Sequence, residues 1–201
     1  SEGYVVEREY ISYINNICIN TVPITNQQFY LCPIVIKGRT GEYSGNYTKG
    51  LINTNAGTQT ETYPFYFTGE GEWQINNNVT IDVFGLTKRK LDAALFKIKG
   101  GIHVKGSGNI FTITRQGMLD AGIISTIDQD LSGFDPENFR ISPFGINENL
   151  SGVVQAYNDS VEGYPSSITL HDNVLVSPIF NDYSFINYKR IDFAGNKIYC
   201  E

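Results

Sequence analysis

Residues 79 to 116 constrain the fold most, because three legible elements follow one another there without a gap. VTIDVF (Val79 to Phe84) alternates as a half-buried strand does and stops at Gly85. Thr87 stands in position to cap a helix over about 87–99, whose Leu91, Ala94, Leu95 and Ile98 share one stripe at the i, i+3, i+4, i+7 spacing. Gly100 and Gly101 close it. IHV and NIFTIT then flank Lys105-Gly106-Ser107-Gly108, a pattern that predicts a hairpin. Strand, helix and hairpin in succession predict a sheet with a helix on one face.

Charge is segregated around the same stretch. Lys88, Arg89, Lys90, Lys97, Lys99, Lys105 and Arg115 are seven of the chain's 15 basic residues, and Asp92 is the only acid among them. This band carries +6 against −4 before it and −8 after it, which sum to the net −6. A basic stripe of this kind is either a solvated helix face or a contact with acidic surface on another subunit, and Lys88, Arg89, Lys90, Lys97 and Lys99 are the candidate interface. The acidic remainder argues against nucleic acid.

A chain of 201 residues rich in Tyr, Phe, Asn, Ile, Thr and Gly has the residues of strands and turns. The expectation is one mainly β domain over 1–201, all-β or α+β, folded as an antiparallel sandwich or barrel-like unit with one or two short helices (about 5–16 and 87–99). The first helix rests on Val6, Tyr10, Tyr13, Ile14 and Ile17. A buried strand over 28–37 is interrupted or started at Pro33. Residues 38–62, poor in apolar side chains, predict a long loop or arm. Gly69-Glu70-Gly71 and Ala194-Gly195-Asn196 predict two more hairpins, and VVQAY, SITL, NVLV and YSFINY read as strands. Met118, Leu119, Ile123, Ile124 and Ile127 suit either a helix weakened by Gly122 or a buried strand. No internal repeat and no low-complexity tract emerges that would change the architecture.

Apolar runs are strand-sized, so no membrane span is expected, and no export signal is visible. Cys18, Cys32 and Cys200 fit neither a disulfide framework nor a zinc site; free thiols are expected, with a Cys18–Cys32 bridge as the alternative. His103 and His171 lack the surroundings of a catalytic triad or a metal site. Asp128-Gln129-Asp130-Leu131-Ser132-Gly133 opens like a calcium loop, but Phe139 stands where the bidentate Glu belongs, and Asx turns explain the pattern as well. Trp73, beside Glu70 and Glu72, is the candidate ligand-facing aromatic. The sequons at Asn46, Asn78, Asn149 and Asn158 are expected by chance in this composition.

No catalytic, cofactor or metal site is therefore assigned. The expectation is a non-enzymatic structural subunit of a virus or bacteriophage particle (capsid, spike or tail part), meeting copies of itself or other subunits. The alternative is an adhesin-like β-sandwich module that binds carbohydrate or a cell surface.

Overall fold

The computed structural model describes residues 4–25, 34–54, 62, 66–69, 72–87, 90–94, 98–100, 103–134, 139–142, 167–179 and 191–200. The chain winds as a parallel β-solenoid, each rung laying one strand on each of two or three faces. The first rung holds β1 (Tyr4–Ile14) and β2 (Ile17–Ile19), and the second β3 (Ile34–Ser44), β4 (Tyr47–Lys49) and β5 (Ile52–Asn53). The third holds β6 (Tyr66–Gly69), β7 (Glu72–Asn76), β8 (Val79–Ile81) and β9 (Phe84–Thr87), followed by β10 (Lys90–Ala94). The fourth holds β11 (Ile98–Gly100), β12 (His103–Ser107), β13 (Ile110–Thr112) and the helix α1 (Arg115–Asp120), followed by β14 (Phe139–Ser142). The fifth is β15 (Ser167–His171) with β16 (Val174–Ser177), and the sixth β17 (Ile191–Ala194) with β18 (Lys197–Cys200). The first sheet gathers β1, β3, β6, β7, β11, β12, β15 and β17; the second β2, β4, β8, β13, β16 and β18; the third β5, β9, β10 and β14.

Among the described residues every ladder is parallel except the turn-back of β10 on β9. This overturns the antiparallel sandwich or barrel. Neither expected helix forms: residues 5–16 fall mostly in β1, which pairs with β3, and residues 87–99 contribute to β9, β10 and β11. Side-chain spacing along one segment loses there to long-range pairing, as it often does for segments rich in β-branched and aromatic residues. The expected hairpins at 105–108 and 194–196 are corners instead. In each the strand before the turn joins the first sheet and the strand after it joins the second. At 69–71 there is no reversal either, since β6 and β7 both run parallel to β3. The expected arm at 38–62 supplies most of β3 and all of β4 and β5, and β3 begins directly after Pro33. VVQAY and YSFINY lie outside the described residues.

A repeat is present after all, written in the corner between the first two sheets. Asn16, Asn46, Asn78, Asn109, Asn173 and Asn196 stack one above another, offset along the chain by 30, 32, 31, 64 and 23 residues. Each of the first five donates its backbone N–H to the Oδ1 of the next at 2.9–3.0 Å. From the second rung on, each Nδ2 also reaches back to a carbonyl of the preceding rung: Tyr13, Tyr43, Ile75, Gly106 and Leu170 in turn. Buried polar side chains persist only when bonded, and here the ladder satisfies them mutually. The residue before each ladder asparagine is left-handed: Asn15, Gly45, Asn77, Gly108, Asp172 and Gly195, with φ between 55° and 67°. Asn, Asp and Gly are the residues that adopt this conformation most cheaply.

The core is a set of columns inside the solenoid. Ile11, Gly41, Trp73 and Val104 form one, and Tyr13, Tyr43, Ile75, Gly106, Leu170 and Phe193 another. Tyr13 lies flat on Tyr43, their centroids 5.5 Å apart and their planes 7° from parallel. The second sheet contributes Cys18, Thr48, Thr80, Phe111, Leu175 and Ile198.

Candidate binding surface on the second sheet

Strand alternation sends every other residue of the second sheet outward. One outward column reads Ile17, Tyr47, Val79, Ile110, Val174 and Lys197, and its neighbour Ile19, Lys49, Ile81, Thr112, Val176 and Tyr199. Ile17 is 75% exposed, Ile19 58%, Tyr199 48% and Ile110 40%. Lys49 and Lys197 are the only charges in these columns, so a flat apolar strip runs along the stack. Contiguous exposed apolar surface of this kind marks interaction sites.

At one corner the strip deepens into a groove of about 590 Å³. Ile19, Tyr47 and Ile81, Val22 and Pro23, and Gln116 and Asp120 of α1 are among the residues that line it. Gln116 Nε2 donates to Asp120 Oδ1 at 2.7 Å and Asn20 Nδ2 to the Gly50 carbonyl at 3.1 Å, so the polar rim is partly tied down. Asp82, left-handed at φ 52° and buried, also lines the groove. Its Oδ1 accepts from the Thr114 N–H at 2.7 Å and its Oδ2 from the Thr114 hydroxyl at 2.8 Å, while that hydroxyl caps α1 by accepting from the Gly117 N–H. Burial pushes the Asp82 carboxyl above its usual range, and Asp120 adds to that; the Thr114 bonds and Lys49 oppose it without cancelling it. Asp82 thus ties the corner of one rung to the helix of the next.

Trp73 is not ligand-facing. The alternation of β7 puts Glu72 and Gln74 outside and Trp73 and Ile75 inside, and Trp73 is 1% exposed, its ring filling the space over Gly41. Of the five candidate interface cations, Lys90 lies in β10 of the third sheet and Lys99 in β11 of the first; Lys88, Arg89 and Lys97 lie outside the described residues. Lys90 and Lys99, on strands of different sheets, do not share a helix face. Asp128 to Gly133 is described, and Asp130 is engaged within its own loop: Oδ1 accepts from the Ser132 N–H and Oδ2 from its hydroxyl, which hold its carboxyl below the usual range. Arg115 donates to the Ile127 and Gln129 carbonyls beside it. Among the described residues no three His, Cys, Asp or Glu side chains converge as a metal site.

Cys18 and Cys200 carry free thiols, Cys18 half-buried with its pKa pushed up by burial, and Cys32 lies outside the described residues. His103 Nδ1 meets the Ser167 hydroxyl at 2.9 Å and His171 Nε2 lies 3.3 Å from Asp192. The sequons at Asn46 and Asn78 are ladder positions followed by the inward Thr48 and Thr80, so the repeat itself generates the pattern. Those at Asn149 and Asn158 fall outside the described residues. No helix among the described residues is long and apolar enough to cross a membrane.

Fold and surface together define the class as a parallel β-solenoid with an asparagine-laddered corner and one apolar outer face. No family model, curated protein or solved structure matches the chain.

Proposed function

We propose that this chain is a non-enzymatic structural subunit of a larger assembly, a virus or bacteriophage particle in which it forms a capsid, spike or tail part, and that it acts through protein contacts. The observation that supports this is the apolar outer face of the second sheet, which extends over all six rungs among the described residues. A face of this composition gains free energy when another protein covers it. Contacts made there hold as salt rises, unlike contacts carried by a basic stripe. The test is the chain recovered from its native source at low and high salt. It is expected in a stoichiometric complex that survives high salt and that Ile110→Lys and Val174→Lys disrupt without lowering the melting temperature. A free monomer in the source extract, or a complex indifferent to both substitutions, overturns the reading. Labelling of purified particles tests the particle itself.

A second reading, recognition of a carbohydrate or cell-surface partner, has the groove in its favour: Tyr47 offers a ring for stacking, and Asn20, Gln116 and Asp120 offer polar groups. Calorimetry against an oligosaccharide panel, with Tyr47→Ala as control, separates the two readings.

A further inference from the structure

The groove at the corner of the second sheet, about 590 Å³ in volume, holds polar side chains that the fold has already oriented. Asn20 Nδ2 donates to the Val22 and Gly50 carbonyls, which fixes the amide and leaves its Oδ1 without a bond among the described residues. On α1, Gln116 Nε2 donates to Asp120 Oδ1 across one helical turn at 2.7 Å, so each side chain holds the other. Gln116 Oε1 and Asp120 Oδ2 stay unspent among the described residues. The Lys49 ammonium also lines the groove and makes no ion pair among the described residues. Pre-oriented acceptors and a strong donor thus share one site.

That mixture selects the polar groups of a ligand. A hydroxyl donates one proton and accepts in return, so adjacent hydroxyls can use Asp120, Gln116 and Asn20 as acceptors and Lys49 as donor at once. A carboxylate or phosphate only accepts and would set its oxygens against those three; an ammonium only donates and meets Lys49 as a like charge. The balance of charge agrees. Among the described residues Lys49 is the one base that lines the groove, against Asp82 and Asp120, and Lys49 and Asp120 act on the Asp82 carboxyl in opposite senses.

The apolar lining sets the shape of the remainder. Tyr47, half-buried in the outward column beside Val79, offers part of a ring, and Ile19 and Ile81 belong to the same lining. Such a surface suits the C–H face of a pyranose, which carries its hydroxyls around the rim.

The geometry points to an uncharged saccharide as the ligand of this groove, a pyranose stacked on Tyr47 with its hydroxyls shared among Asp120, Gln116, Asn20 and Lys49. Uronic, sialic and phosphorylated sugars are rejected there. The inference rests on the carbohydrate reading above and narrows it to one class, so it can fail while that reading stands.

The test is calorimetry on the 201-residue chain at low salt with neutral di- and trisaccharides of glucose, galactose, mannose and N-acetylglucosamine, each beside a uronate-containing counterpart of the same length. At least one neutral saccharide is expected to bind, and its uronate counterpart to bind about tenfold more weakly. Asp120→Ala, at an exposed helix position, and Tyr47→Ala are each expected to weaken the neutral saccharide about tenfold at an unchanged melting temperature. A uronate that binds as tightly as its neutral counterpart overturns the inference and leaves the carbohydrate reading in place. So does a neutral saccharide whose affinity neither substitution changes, because it binds elsewhere on the chain. A panel without a binder overturns both.

Discussion

At the scale of single residues, the solenoid depends on polar groups that are safe only in company. Asn109 is fully buried and holds five bonds through its side chain and N–H: Oδ1 accepts from the Asn78 N–H and Nδ2, its own N–H and Nδ2 reach Asn173 Oδ1, and Nδ2 also reaches the Ile75 carbonyl. Asn109→Ala orphans the Asn78 donor and the Ile75 carbonyl inside the protein and is expected to cost about 3 kcal/mol in urea unfolding. Asn196→Ala, at the half-buried end of the same ladder, is expected to cost about 1 kcal/mol. Equal losses at the two sites would mean that the ladder is not the source of the stability. Asp82 acts in the opposite sense. Its carboxyl is raised in the folded chain, so as pH climbs from the ordinary carboxylate value through the raised one, the unfolded chain releases this proton first and stability falls. Asp82→Asn keeps the left-handed corner and an acceptor for the Thr114 N–H. The stability difference, variant minus unmodified chain, is expected to be constant below that window, to grow in the variant's favour through it, and then to level off.

At the scale of elements, the identity of some strands was legible and the partnership of strands was not. EWQI and NIFTIT show alternation that β7 and the start of β13 keep, and that of EWQI already places Trp73 opposite Glu72; VTIDVF instead breaks at the left-handed Asp82 into β8 and the start of β9, which continues through Gly85. What the residues do not carry locally is whether the chain reverses at a glycine or asparagine. Gly108 and Gly195 supply the positive φ of a hairpin and of a solenoid corner alike. The signal that separates them is the recurrence of a left-handed residue followed by Asn, which a fixed period conceals because the ladder spacing runs from 23 to 64 residues. The segment 90–94 misleads for another reason: Lys, Leu, Asp and Ala favour a helix, yet β9 and β14 enclose it as a strand. Packing between elements has its own test in the first sheet. A Cβ on Gly41 would meet Trp73 Cζ3 and the Ile11 carbonyl, each at 2.4 Å. Gly41→Ala is expected to cost about 2 kcal/mol by overpacking, and Trp73→Leu a similar amount through the cavity it leaves. The double variant is expected to recover about 1 kcal/mol relative to the sum, because leucine vacates the space the new methyl needs. Strict additivity in thermal melts would place the strain at the Ile11 carbonyl instead.

At the scale of the molecule, a stack of rungs has a stability profile that a globular domain lacks. Opening an internal rung breaks two interfaces, and opening an end rung breaks one. Burial already follows this: within one inward column Thr48, Thr80, Phe111 and Leu175 are buried, Cys18 at one end is half-buried and Ile198 at the other is exposed. The insertion between Asn109 and Asn173 does not divide the profile, because β12 and β13 pair directly with β15 and β16 across it. Amide exchange on the dilute chain is therefore expected to be slowest in β8 and β13 and to quicken toward β2 and β18. Contacts through the outer face of the second sheet cover side chains and leave the edge amides of β2 and β18 open, so their exchange stays as fast in the assembly as in the monomer.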